Sequence, residues 1–161
     1  MESLINAIRN TKDDHRQLPF SVYSSVKEQH LFNVPVLKPL LIVVLRGDKK
    51  LGLEGGVTCH AGDFIFLSDS PSVTIRNIPK AAEYLALLIE FDYEDFPELP
   101  GHLTTNKHFC LGKGSPVLEK CLQQFIEWSV YSPQSLWSLR KREIIQLICQ
   151  MGYQGILSMA A

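Results

Sequence analysis

The chain has 161 residues, of which 45% are hydrophobic and 20% charged, a composition that fits one globular domain and excludes disordered and fibrous classes. Sixteen basic residues against seventeen acidic ones leave a formal charge of −1, so we do not expect this segment to grip a nucleic acid through a basic face of its own. The longest strictly apolar run, Leu40–Leu45, is far shorter than the ~20 residues of a membrane-spanning helix. Because Met1–Asp14 contains no apolar signal segment, we expect a cytoplasmic protein without a membrane partner.

The first part of the chain, from Phe20 to about Cys110, contains short apolar segments separated by turn residues, which is typical of β-structure. Leu40–Arg46 is apolar up to Arg46, so this strand should be covered on both faces. We predict hairpin turns at Gly47-Asp48 and at Glu54-Gly55-Gly56-Val57. For Lys49-Lys50 we expect a solvated turn in preference to an anion site. Short strands at intervals of roughly ten residues, separated by turns, predict a sandwich or small barrel. The predicted strands are Phe20–Val26, Leu40–Arg46, Asp63–Leu67, Val73–Ile78 and Tyr84–Phe91.

After Gly114 the apolar residues recur at helical spacing. A first helix should begin at Ser115-Pro116, and a second should begin after Tyr131-Ser132-Pro133 and end near Gly152. One face of this helical hairpin should pack on the barrel, and another could pair with a second subunit. The candidates for a homodimer interface are Trp137, Ile144, Ile148 and Met151.

Two further sets of side chains allow two interpretations each. Glu90 lies among apolar residues, and it either points outward or orients a polar ligand inside the barrel. The basic run Arg140-Lys141-Arg142 forms either a solvated helix face or a surface that faces DNA or a partner domain. The four cysteines lack CxxC spacing, and we expect buried thiols rather than disulfides or a zinc site. They are Cys59, Cys110, Cys121 and Cys149.

The segment from Pro35 to Asn77 resembles a cupin core, through Leu45-Arg46-Gly47 at the end of one strand and Ala61-Gly62-Asp63 before the next. Gly62 and Asn77 keep their places in the second cupin motif. Ser68, Ser70 and Val73 stand where that motif has proline, glycine and histidine, and Val34, Val36 and Leu40 fall at or near the ligand positions of the first motif. These positions lack metal donors, and the five histidines show no HxH pairing, so we expect no metal and no cofactor.

Most of the chain is similar to the N-terminal domain of AraC-type bacterial transcriptional regulators, through Pro39–Lys50 and through Arg140–Ile145 in the second helix. The resemblance implies a mainly β fold with C-terminal helices, a cupin-like β-barrel followed by an α-helical hairpin. It also implies an N-terminal arm at 1–19, the barrel at 20–111, a dimerisation hairpin at 112–153 and, at 154–161, the start of a linker to a DNA-binding domain beyond Ala161.

The resemblance therefore implies a sensory domain that is not an enzyme. It would form a homodimer, bind a small-molecule effector, and reach DNA only through that further domain. Effector binding would shift the arm or the helical hairpin. A stand-alone cupin isomerase or oxygenase and an interaction module with a solid barrel are the alternatives. In metal cupins the ligand positions point into the barrel. If the strands of this chain have the same register, the candidate pocket residues are Val36, Leu40, Ile42, Val44, Phe64, Phe66, Val73, Ile75 and Asn77.

Overall fold

The computed structural model describes residues 1–11, 17–52, 56–68, 70–97 and 109–159, without the side chains of 70–72, 158 and 159. Within these residues the chain forms nine strands and four α-helices. The strands are β1 Ser21–Ser25, β2 Gln29–Val36, β3 Leu40–Arg46, β4 Asp48–Leu51, β5 Val57–His60, β6 Phe64–Leu67, β7 Ser70–Ile78, β8 Tyr84–Glu90 and β9 Phe109–Gly112. The helices are α1 Glu2–Arg9, α2 Pro116–Tyr131, α3 Trp137–Gln150 and α4 Gly155–Met159.

The strands form two antiparallel sheets that enclose one apolar layer. The larger sheet has the order β1-β8-β3-β6-β9, and the smaller one has the order β2-β7-β4-β5. Buried side chains from both sheets, such as Ile42 and Ile75, pack together between them. The prediction of a mainly β, cupin-like domain followed by a helical hairpin is confirmed.

Strand β3 lies at the centre of the larger sheet, between β8 and β6. Its odd-numbered residues Leu41, Val43 and Leu45 join the core shared with the helices. Its even-numbered residues Ile42 and Val44 point to the smaller sheet instead. The strand is thus covered on both faces, as its continuous apolar sequence predicted.

The turn at Gly47 differs from the prediction. Strands β3 and β4, on its two sides, belong to different sheets, so the residue marks a corner and not a hairpin. Gly47 has a φ of 85°, and a Cβ at this position would lie 2.5 Å from the carbonyl oxygen of Ile78. Only glycine fits this corner without a shift of the backbone. Of the second predicted hairpin, Glu54 and Gly55 lie outside the described residues.

The helices cover the outer face of the larger sheet. Helix α2 begins as predicted, because the Ser115 hydroxyl accepts a hydrogen bond of 3.1 Å from the amide of Leu118. Helix α1 was not predicted, yet its apolar face enters the same core, and the Met1 amino group lies 3.0 Å from a Glu119 carboxylate oxygen on α2. Where the start of a linker was expected, α4 places Ile156 in the core. None of the described helices is long and apolar enough to cross a bilayer.

Five strands depart from the sequence prediction, because β2, β4, β5 and β9 were not among the predicted strands and β7 begins earlier than expected. Strand β2 was not predicted, and its pairing with β7 is irregular, with register shifts between Leu31 and Val36 and a φ of 53° at Asn33. Strand β7 begins at Ser70 and not at Val73, so the serine-proline segment forms part of the strand instead of a break. Serine and proline are typical turn residues, and proline has no backbone amide to donate within a sheet. The sequence of this segment therefore indicated a turn, although the strand continues through it.

Candidate functional site

A cavity of about 180 Å³ lies between the two sheets. Its wall is nearly all apolar, and it is built from strands β1, β2, β3, β4, β6, β7 and β8. The volume corresponds to about six water molecules at ~30 Å³ each, enough for a small organic group. The lining residues are Tyr23, Leu31, Val34, Pro35, Val36, Leu40, Ile42, Lys49, Leu67, Ile75, Asn77, Tyr84, Ala86 and Leu88.

Polar groups gather at one end of this cavity. Lys49 on β4 lies directly opposite Asn77 on β7, and it is only 5% exposed. Its Nζ donates hydrogen bonds to Asn77 Oδ1 at 2.9 Å and to the Tyr84 hydroxyl at 3.3 Å. Both partners are neutral and fully buried. Among the described residues, no aspartate or glutamate forms an ion pair with Lys49.

The position of Lys49 corrects the sequence prediction, which placed Lys49-Lys50 in a solvated turn. Both lysines lie in strand β4, and the alternation of a strand sends Lys50 to solvent and Lys49 into the sandwich. Burial lowers the pKa of Lys49 from 10.5 to about 8, because a charged ammonium loses its hydration there. Burial likewise raises the pKa of the neighbouring Cys59 thiol to about 12.

The structure brings five of the nine predicted pocket residues into the cavity wall: Val36, Leu40, Ile42, Ile75 and Asn77. Val44 and Val73 belong to the packed layer between the sheets but do not line the cavity.

Phe64 and Phe66 lie on the other face of the larger sheet. Phe64 contacts the ring of Tyr153, and Phe66 contacts those of Phe91 and Phe96. The sequence pattern of β6 is apolar on both faces, so it carried no information about which face these rings would take.

The predicted interface residues also differ in their burial. Ile144 and Ile148 are fully buried in the chain's own core, whereas Trp137 and Met151 are partly buried. The apolar face of α3 therefore packs against the core that its own chain forms with the larger sheet. The large apolar side chains exposed on the hairpin are Val117, Trp128, Tyr131, Leu136 and Leu139.

A second space lies at the end of the sandwich, between the chain segment 17–21 and the start of α3. This cleft has a volume of about 470 Å³. Trp137 and Phe20 are among its aromatic side chains, and the Nε1–H of Trp137 is buried without a hydrogen-bond partner in the described part of the chain. Its charged residues are Lys38, Glu90, Asp92, Asp95 and Lys141. Glu90 is exposed to solvent at this edge, although strand alternation places it on the same face of β8 as Leu88.

The remaining predicted sites have ordinary surroundings. Within the described residues no three His, Cys, Asp or Glu side chains are grouped as metal ligands would be. His60 is exposed and lies 3.0 Å from Asp48, while His15, His102 and His108 lie outside the described residues. In the basic run of α3, Arg140 lies over the ring of Trp128 at 5.6 Å and 3.5 Å from Glu143. In the described part of the chain no disulfide joins the four cysteines, and two of them, Cys59 and Cys121, are buried.

Sequence reasoning missed Lys49 and Tyr84, the two side chains that give the cavity its polar end. A usable signal existed, because the cupin resemblance had already placed Asn77 inside the barrel. Lys49 pairs with Asn77 across the smaller sheet, and paired residues share a face. Alternation along β4 shows that Lys49 and Lys50 point to opposite faces. Without knowledge of which strands pair, however, it does not show which of the two lysines points inward.

No protein-family model and no curated protein matches the sequence significantly. The fold is similar to solved structures of ToxT from Vibrio cholerae. Apo ToxT from strain SCE256 superposes with a TM-score of 0.62 at 11% identity, over 87% of this chain and 58% of that one. ToxT with a bound unsaturated fatty acid gives a TM-score of 0.58 at 12% identity, over 88% and 56%.

A third structure, ToxT from strain O395 bound to (E)-4-(8-methylnaphthalen-1-yl)but-3-enoic acid, gives a TM-score of 0.57 at 12% identity, over 91% of this chain and 60% of that one. The chain thus spans less than two thirds of the ToxT chains that it resembles. At these identities the likeness is one of fold.

Proposed function

We propose that this chain is the effector-binding domain of an AraC-type transcriptional regulator and that its cavity binds a small apolar molecule carrying a carboxylate. The observation that carries the proposal is the buried Lys49 ammonium at the end of an apolar cavity, with neutral hydrogen-bond partners. The apolar wall would hold the hydrocarbon part of the effector, and Lys49 would hold its charge.

The chemistry of a buried ammonium supports an anionic ligand. Buried charges in proteins are usually paired, because an isolated charge in an apolar medium costs several kcal/mol. Asn77 and Tyr84 accept two of the three protons that a lysine can donate, and they leave its positive charge uncompensated. A carboxylate reaching Nζ from the cavity would supply the missing charge and a strong, charge-assisted hydrogen bond.

The comparisons support the same class of ligand. Two of the ToxT structures with this fold contain an organic acid with a large apolar part, an unsaturated fatty acid in one and a naphthalenyl butenoic acid in the other. ToxT is an AraC-family regulator, and the sequence of this chain resembles that family independently. Both lines favour a sensory role over the alternatives of a cupin enzyme and a solid interaction module.

The proposal extends to the assembly that a regulator of this type needs. We propose that the chain forms a homodimer and that a DNA-binding domain connected to it reads the effector state. Exposed apolar side chains on α2 and α3, in particular Trp128, Tyr131 and Leu139, favour the outer face of the hairpin as the contact. Light scattering of wild type and of the Leu139→Asp variant tests this, with a dimer expected for the first and a monomer for the second. A wild-type monomer at micromolar concentration would contradict the homodimer.

The ligand proposal is tested by titrating octanoate, octanamide and octylamine into wild-type protein and into Lys49→Met and Lys50→Met variants. Octanoate should bind wild type best, because only this compound carries a negative charge. Loss of one partner of a buried charge pair costs 2 kcal/mol or more, so Lys49→Met should weaken octanoate binding by roughly thirtyfold. Lys50 is the matched control, since it is the neighbouring lysine on the solvent side of β4. Equal affinities in the two variants would reject Lys49 as the anchor.

The affinity for the acid should also depend on pH in a defined direction. Below the Lys49 pKa of about 8 the amine is already protonated, and binding of a carboxylate should be nearly independent of pH. Above that pH the free protein must take up a proton to bind the anion, so affinity should fall by up to about tenfold per pH unit. Isothermal titration between pH 7 and 10 measures this, and an affinity that rises with pH would contradict the assignment.

A further inference from the structure

The cavity and the cleft share two residues of their walls, Leu40 and Leu88. Leu40 begins β3 and pairs with Glu90, and Leu88 precedes Glu90 by two positions on β8. The period of a strand therefore places both leucine side chains on the same face of the larger sheet, at the same end. They form the boundary between the cavity inside the sandwich and the cleft beside α3.

The cavity has opposite chemistry at its two ends. Tyr84, which contacts Lys49 Nζ, lies four residues before Leu88 on β8, a separation of about 13 Å along an extended strand. A ligand held through its carboxylate at Lys49 would therefore direct its apolar tail along β8 toward Leu40 and Leu88.

The charges in the cleft favour this orientation over the reverse one. Three carboxylates line the cleft, those of Glu90, Asp92 and Asp95, against two lysines. One of these lysines, Lys38, is already paired with Asp92 at 3.0 Å. A ligand carboxylate placed in the cleft would meet acidic side chains, whereas at Lys49 it meets an uncompensated cation.

Resting on the proposed function, we propose that the tail of a long effector passes over Leu40 and Leu88 into the cleft and contacts Trp137 at the start of α3. An extended hydrocarbon chain advances roughly 1.25 Å per carbon, so a chain of about ten carbons reaches the two leucines from Lys49. Shorter acids remain within the sandwich. The length of the ligand then decides whether the helices detect it.

A ligand tail in the cleft would contact parts of the chain outside the sandwich. Trp137, Ser138 and Lys141 of α3 line one side of the cleft. Phe20 lines another side, and its ring contacts the ring of Phe125 on α2 at a centroid distance of 6.4 Å. A tail in the cleft would thus contact α3 directly and Phe20, which packs on α2, and a tail that ends before Leu88 would contact neither.

The experiment uses a series of saturated acids from octanoate to tetradecanoate, below their micelle concentrations, and the fluorescence of Trp137. The variant Trp128→Phe leaves Trp137 as the one tryptophan of the chain, and the reciprocal variant Trp137→Phe leaves Trp128, a half-exposed residue outside both the cavity and the cleft. Titration calorimetry measures the affinity of wild type for the same acids.

We expect tetradecanoate to shift the emission of Trp137 while octanoate does not, and neither acid to change the emission of Trp128. Affinity should rise about fourfold for each methylene up to roughly ten carbons and by a smaller factor beyond, where the tail enters the cleft, whose wall is more polar than that of the cavity. Saturable binding of tetradecanoate with unchanged Trp137 emission would overturn the passage and leave the proposed function intact. An equal Trp137 response to octanoate would overturn the dependence on length. If no acid of the series bound wild type, the proposed function would fail first.

Discussion

The two faces of the larger sheet are made from the same strands and are equally apolar, but they are packed differently. On the helix side, Leu41, Phe66 and Leu87 are fully buried in a continuous core completed by the four α-helices. On the inner side, Leu40 and Leu88 are only half-buried, next to a cavity that the facing sheet does not fill.

The difference follows from the partner of each face. A helix presents side chains on a curved surface that adjusts to the sheet, and aromatic rings such as Phe91 and Phe125 fill the space that remains. The smaller sheet faces the inner side with residues such as Val36 and Ile75, and the irregular strand β2 forms one edge of its wall. A void bounded by two rigid sheets persists, and it makes the inner face the one suited to a ligand.

Adjacent leucines on β8 give the most sensitive test of this contrast, because they have the same side chain on opposite faces. Leu87→Ala removes a side chain from the filled core and should destabilise the protein by about 3–5 kcal/mol. Leu88→Ala enlarges a space that already exists, and its half-buried side chain has less contact to lose, so about 1–2 kcal/mol is expected. Denaturant unfolding of both variants measures the difference.

The neighbouring strand offers an internal repeat of that test. Leu41 is fully buried on the helix side of β3, and Leu40 is half-buried on the cavity side. The same order of effects should appear for Leu41→Ala and Leu40→Ala. Equal losses of stability within each pair would mean that the two faces are equally well packed, and the contrast would be wrong.

The charge on the inner face should give the second largest effect, and it should appear as a dependence on pH. In the folded protein the pKa of Lys49 is about 8, below its ordinary 10.5, so between these values the unfolded chain binds more protons than the folded one. Stability therefore rises with pH across this window, by up to about 3 kcal/mol. Below pH 8 the full cost of burying the charge is present and constant.

Lys49→Met should remove this pH dependence, and Lys50→Met should retain it. The informative quantity is the free energy of unfolding of wild type minus that of each variant, measured by denaturant titration between pH 7 and 10.5. Taking the difference cancels the titration of thiols such as Cys59 and of tyrosines in the same range. A flat difference curve for Lys49→Met would show that its amine keeps an ordinary pKa and is hydrated in the folded protein.

Much of the fold could be predicted from local patterns. The unbroken apolar sequence Leu40–Leu45 predicted a strand covered on both faces, and Ser115-Pro116 predicted the start of α2. Helix α1 escaped prediction because its stability depends on burial of four residues against distant parts of the chain, a tertiary effect. Gly47 was correctly identified as a residue in a tight backbone conformation, but only the sheet pairing distinguishes a corner from a hairpin.

The candidate site was predictable only in part, for a related reason. Parity along β3 gave Leu40 and Ile42 correctly as inward residues, because the cupin resemblance fixed the direction of that strand. For Phe64 and Phe66 nothing fixed the direction, and the structure turns both toward the helices. Lys49 was assigned to solvent on the usual behaviour of lysine, which is a sound average and fails where a lysine is buried with neutral hydrogen-bond partners.

The smallest effect, and the one most specific to the cavity, comes from the same substitution at two alanines. Ala7 on α1 lies in the filled core, and Ala86 on β8 lines the cavity; both are buried. Ala7→Leu forces additional atoms into a packed region and should destabilise the protein by about 1–3 kcal/mol. Ala86→Leu places the same atoms in empty space, and its effect on stability should be below about 1 kcal/mol in either direction.

The two variants should then reverse their order when a ligand is titrated. Ala86→Leu occupies the volume that an acid would need, and it should abolish the rise in melting temperature that we expect octanoate to give wild type. Ala7→Leu should show the same rise from a lower melting temperature without ligand, since the cavity is unchanged. If Ala86→Leu were the more destabilising of the two, the space between the sheets would already be filled in solution. A pocket would then have to open before any effector could bind, and the inner face would resemble the helix side more closely than the structure indicates.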